Sequence, residues 1–203
     1  MRKMAMVVVM TLAMGAGAQA QEQSSDGIVK QLSDKSNDAS RKYGEWAKGR
    51  YKGKVKLQSG SLGVLSENAT AKFEMDYSTT TFDDGDEEYK TWCGKDYEER
   101  VSISYDAFVH ELNETSKGLK ISAAGGEKYL IKFKVKDIEK KVATGWWGQM
   151  AFRVTGDIEV TDASTGASVC KMEVDVRGDA DMVPSDAIGN AFTAVAKAML
   201  KAK

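Results

Sequence analysis

Four stretches of the chain alternate apolar and polar residues with a period of two, the pattern of strands that bury one face. Ala71, Phe73, Met75 and Tyr77 alternate with Lys72, Glu74 and Asp76. Tyr129, Ile131, Phe133 and Val135 alternate with Lys132, Lys134 and Lys136. Met150, Phe152, Val154, Ile158 and Val160 alternate with Arg153, Thr155, Asp157 and Glu159, and Cys170, Met172, Val174 and Val176 with Lys171, Glu173 and Asp175. Asp162-Ala163-Ser164-Thr165-Gly166 joins the last two strands as a tight hairpin, with Gly166 free to take a left-handed conformation.

Two stretches carry the helical period instead. Tyr97, Val101, Tyr105, Phe108 and Leu112 make one apolar stripe. Ile188, Phe192, Val195 and Met199 make a second, opened by Pro184-Ser185 with Ser185 as the expected N-cap. Weaker spacing of Ile28, Leu32, Ala39, Tyr43 and Trp46 predicts a marginal helix over 27–47. Because every strand has one charged face, helices should cover one side of the sheet only. The predicted class is α+β. It is a two-layer mixed or antiparallel sheet of four or five strands, with two main helices packed on one face and an N-terminal helical arm.

The first residues read as an address. Arg2 and Lys3 precede the apolar run Met4–Met14, and Ala18-x-Ala20 follows as a cleavage signal. The run is about half the roughly 20 residues that a membrane span needs. The expected organisation is a signal peptide at 1–20, an N-terminal arm and basic linker at 21–67, and the α+β domain at 68–203. No Cys follows the cleavage point to carry a lipid, and no later stretch is apolar enough to span a bilayer. The expected location is therefore periplasmic or secreted.

Composition narrows the chemistry. Of 203 residues, Lys+Arg number 29 and Asp+Glu 30, for a formal charge of −1, and loss of the leader removes two of the cations. No global basic field points to nucleic acid. Arg41–Lys56 is locally basic and reads as a solvated arm, while Asp83–Glu88 holds five acids in six positions. Those acids lack the EF-hand spacing and precede the Tyr97 helix, whose positive end they would favour. The one His, His110, would sit about 25 Å from Cys93 if one helix held both, which defeats a nucleophile–base pair. No catalytic set, metal or cofactor is expected.

Cys93 and Cys170 both fall on apolar faces. In an oxidising compartment they form either a disulfide or two buried thiols, and the spacing does not choose. Gly145-Trp146-Trp147-Gly148 falls between two long strands, where a hairpin tip is expected. Indoles at such a tip either cap the core edge or stack on a partner protein or sugar. Asn68-Ala69-Thr70 and Asn113-Glu114-Thr115 are glycosylation sequons, and Arg177-Gly178-Asp179 is an integrin-type tripeptide.

The run Tyr129–Val135, the turn Gly156–Gly166 with its Asp162/Thr165/Gly166 pattern, and the small-residue helix Ala187–Leu200 together resemble a periplasmic α/β module. That module is shared by the curli-secretion channel, the penicillin-binding-protein activator lipoproteins and the amino-terminal part of TolB. The resemblance covers about residues 68–203 and implies an envelope assembly or activator role without catalysis. The chain departs from many members of that module in lacking the lipid-bearing Cys, which counts against outer-membrane anchoring and ring-channel formation. The expectation is an exported, non-enzymatic domain that binds an envelope protein, with homo-oligomers allowed and Trp146 and Trp147 as the contact. A small-ligand or glycan module using the same two indoles is the alternative.

Overall fold

The computed structural model describes residues 53–122, 124–142 and 149–202. In chain order the elements are β1 (Lys54–Gly60), β2 (Thr70–Asp76), β3 (Thr81–Phe82), β4 (Glu87–Glu88), α1 (Tyr89–Cys93), α2 (Tyr97–Thr115), β5 (Lys120–Ile121), β6 (Tyr129–Val142), β7 (Met150–Asp162), β8 (Ser168–Arg177) and α3 (Pro184–Leu200). All strands belong to one mixed sheet in the order β1-β8-β7-β6-β2-β5, with the short β3 and β4 beside β6. The sheet thus has eight strands, not the four or five that the alternation predicts. The class remains α+β.

The four alternating stretches form β2, β6, β7 and β8, and the additional strands carry weak patterns. β1 lies where a basic linker is expected. Val55 is buried while Lys54 and Lys56 are exposed, so its lysines are the outward half of an ordinary edge strand. β3, β4 and β5 have two residues each, too few for any period to show. β6–β7, β7–β8 and β1–β8 pair antiparallel, whereas β2 runs parallel to both β6 and β5.

One face of the sheet is apolar and carries both main helices. Phe73 of β2 stacks on Phe108 of α2 at 4.5 Å, and Phe133 of β6 meets Phe108 and Phe192 of α3, each at 6.0 Å. Gly189 of α3 faces Ile103 and Ala107 of α2, so the helices lie side by side. Small residues at the interface let the axes approach.

Several local details differ from expectation. α3 starts with Pro184 at its first turn and Val183 at the N-cap position, with no side-chain cap, so Ser185 does not cap it. The acids at 83–88 do not head α2, whose first turn holds Glu98 and Glu99. Asp83, Asp84 and Gly85 instead take successive positive φ values of 57°, 64° and 92° in the β3–β4 turn, and Glu87 and Glu88 form β4. The β7–β8 turn follows its prediction. Gly166 has φ 70°, and the Asp162 carboxylate accepts from the backbone N–H and hydroxyl of both Ser164 and Thr165. These bonds hold Asp162 down to about 2.

Candidate functional site

The face opposite the helices is a grid of charges set by strand register. Lys132 of β6 lies between Glu74 on β2 and Glu159 on β7, and Lys134 between Asp76 and Asp157. Lys136 pairs with Asp157 at 2.6 Å, Lys171 with Glu159 at 3.2 Å and Lys72 with Glu74 at 2.8 Å. On β1, Lys54 and Lys56 stand in register with Asp175 and Glu173 of β8. The grid lines a shallow trough of about 730 Å³ that runs from Gln58 across to Tyr77.

Hydrogen bonds lower three of these carboxyls. A hydrogen bond from Lys72 lowers the Glu74 carboxyl, backbone donation from Ser78 lowers Asp76, and Ser168 with Lys171 lowers Glu159. At the far end, Arg153 grips Asp175 through Nε at 2.6 Å and Nη2 at 2.9 Å, and reaches Glu139 through Nη1 at 3.3 Å. The Glu139 carboxylate is buried, so this guanidinium offsets a charge that would otherwise be costly in the interior. The arrangement suits polar recognition.

The two cysteines lie on different elements and carry no bond between them. Cys93 ends α1, whose first N–H, that of Tyr89, donates to Thr80; the Thr80 hydroxyl in turn donates to Val135 of β6. Cys170 stands opposite Val160, and Val160 opposite Ile131. Both cysteines are free, buried thiols, and burial raises their pKa values. Iodoacetamide should therefore spare both in the native protein and label two per chain in denaturant without reductant. Labelling of none in denaturant would show a bridge.

The other sequence candidates separate clearly. His110 is exposed on α2, about 20 Å along the helix from Tyr97 at 1.5 Å per residue. Among the described residues no group of three or more His, Cys, Asp or Glu is placed to hold a metal. Gly178 is buried against α3 and its N–H donates to Phe152, so Arg177-Gly178-Asp179 is part of the core boundary. The Asn113 side chain exchanges two hydrogen bonds with Ile121, whereas Asn68 is exposed.

Trp146 and Trp147, the predicted signal peptide and the predicted 27–47 helix lie outside the described residues. The strands flanking the Trp pair are described: Val142 of β6 stands opposite Met150 of β7, so the pair belongs to the connection between the two central strands. No described helix is long and apolar enough to cross a membrane.

The sequence reading missed the polar grid as a surface. Its charged residues were visible, but their neighbours depend on strand order. Trp92 is another omission: it stacks on Phe82 at 3.9 Å and lies under the Arg100 guanidinium at 4.5 Å, closing the β3–α1 end of the core.

Fold and face together define a two-layer α+β domain with a covered apolar side and an open, charge-alternating side. Similar solved structures include PelC of Paraburkholderia phytofirmans, a dodecamer. It is 18% identical, the match spans 74% of this chain and 99% of PelC, and the TM-score is 0.38. A Xanthomonas campestris protein of the DUF330 family is 15% identical over 50% of this chain and 57% of its own, with a TM-score of 0.33. No family model and no curated protein matches the chain. Likeness at this level fixes neither a family nor a function.

Proposed function

We propose that this chain is an exported, non-enzymatic domain of the cell envelope or the secreted medium that acts in protein–protein interaction or assembly, with Trp146 and Trp147 as its contact. One observation carries the reading. The two indoles belong to the connection between β6 and β7, the two longest strands, whose paired ends at Val142 and Met150 bring the chain to that point on a well-packed hairpin. Aromatic anchors supported by a rigid element lose little entropy on binding.

Other features support the same reading. The leader-like start, with Arg2, Lys3 and Ala18-x-Ala20, favours export. The resemblance to the envelope module favours an assembly role. A non-catalytic role suits a thiol raised by burial at Cys93 and an exposed His110 on a separate helix. The test replaces Trp146→Ala and Trp147→Ala together, with partner pull-down from envelope extract and glycan-array binding read in parallel. Loss of pull-down with an unchanged array is expected. Loss confined to the array would assign a glycan site instead, and no change in either would remove the connection as the contact.

A further inference from the structure

The edges of the sheet are not equally protected. β1 closes one side with lysines and a register shift between Leu57 and Ser59, both devices that discourage strand addition. On the other side, β5 covers only Thr70 and Ala71 of β2. Lys120 and Ser122 donate to the carbonyls of Ala69 and Ala71 on that side, whereas the Thr70 carbonyl accepts from Lys128 on the β6 side. By strand alternation the N–H and C=O of Phe73 and Met75 point outward from the β5 side. No described strand pairs with them there.

The side chains around this stretch are two-sided. Above it, Ile103 and Ala107 of α2 face α3, and at 3.6 residues per turn Tyr105 projects the opposite way. Its ring lies 5.2 Å from that of Phe73 and is 36% exposed, an apolar shelf over the edge. Below it, Lys72, Glu74 and Asp76 follow one another on the open face; Glu74 pairs with Lys72 at 2.8 Å and Asp76 accepts from the Ser78 N–H. The molecule already shows what such a column, two acids beside one lysine, accepts. β1, with Lys54 and Lys56 alternating with Val55 and Leu57, is laid against Glu173 and Asp175 of β8.

We propose that the outer edge of β2 at Phe73–Met75 takes an added strand from a protein partner, an extended segment with Lys or Arg at every second position and aliphatic residues between. Its cations meet Glu74 and Asp76, its aliphatic side chains pack under Tyr105, and its backbone completes the hydrogen bonds of Phe73 and Met75. The proposal uses neither Trp146 nor Trp147, so replacing both indoles leaves its residues in place and the two ideas fail independently.

The test uses the mature chain and a fluorescently labelled octapeptide of alternating Lys and Val, with alternating Glu and Val as the comparison. The Lys–Val peptide should bind and slow hydrogen exchange at the Phe73 and Met75 amides, which exchange fast in the free protein. Glu74→Lys with Asp76→Lys should weaken it roughly tenfold and favour the Glu–Val peptide. Tyr105→Ala should weaken the Lys–Val peptide without inverting the charge preference. Equal binding of both peptides, or amides already protected in the free protein, would overturn the proposal. Should the charge-reversed protein not fold, unchanged exchange in the original chain on adding the Lys–Val peptide overturns it as well.

Discussion

Phe133→Ala is expected to lower the unfolding free energy by about 3–5 kcal/mol, the range for removing a fully buried aromatic ring. Phe133 has no exposed surface and joins three layers of contact: β6 beneath it, Phe108 of α2 and Phe192 of α3. Its ring edge also lies over Gly156 of β7, where an added Cβ would meet Cε2 at 2.8 Å. The missing side chain at Gly156 makes room for this ring, so shortening it leaves a void that neither helix fills without moving. Denaturant unfolding should show a lower midpoint at constant slope, and the melting temperature should fall by roughly 2–4 °C for each kcal/mol. Lys134→Ala, one residue on but facing solvent, should stay within about 0.5 kcal/mol. A loss below about 1 kcal/mol for Phe133→Ala would mean that the helices are not seated on β6 as described.

What was legible in the sequence follows from where burial is one-sided. β2 and β8, and β7 from Phe152 onward, alternate between a covered face and an open one, and the expected spans of all three lie within two residues of the observed ones. β6 kept it only as far as Lys136. A register shift between Val135 and Asp137 inserts one residue, so Ile138 is buried on an even position after a series of odd ones. Simple alternation therefore ends six positions early, although the strand runs on to Val142. β1 was hidden differently: five of its seven residues are polar or glycine, and only its place beside β8 makes it a strand. No pattern within those seven residues records that neighbour.

The candidate site divides along the same line. The lysines of β6 and the acids of β7 could be read one by one as an exposed side. That Lys132 lies between Glu74 and Glu159 depends on β2 joining β6 in parallel, a long-range choice with no local signature. The bare edge at Phe73 and Met75 depends on β5 being two residues long. The cysteines show the limit of reading faces alone. Both are buried, but Cys93 does not continue the Tyr97 stripe: Gly94 at φ 55° and the 3-10 turn Gly94–Asp96 set α1 apart from α2.

Gly178→Ala should cost about 3 kcal/mol, toward the upper end for overpacking, even though the added group is one methyl. A Cβ at Gly178 would stand within 3.0 Å of the Ala191 Cα and N and of the Asn190 carbonyl carbon. Those are backbone atoms of α3, so no rotamer change makes space, and the helix must rise off the end of β8. Lifting it would also loosen Phe192 and Ile188, both fully buried. Gly178 is not among the residues with positive φ, so the cost comes from contact rather than from backbone strain. That distinction can be measured. Ala191→Gly removes a side chain but leaves the clashing helix backbone, and should fail to rescue Gly178→Ala in a double-mutant comparison of unfolding free energies. Rescue, or a Gly178→Ala protein that melts with the original, would place α3 farther from the sheet. The same close approach makes Arg177-Gly178-Asp179 a packing element whose glycine is fixed by a helix, not a tripeptide offered to a receptor.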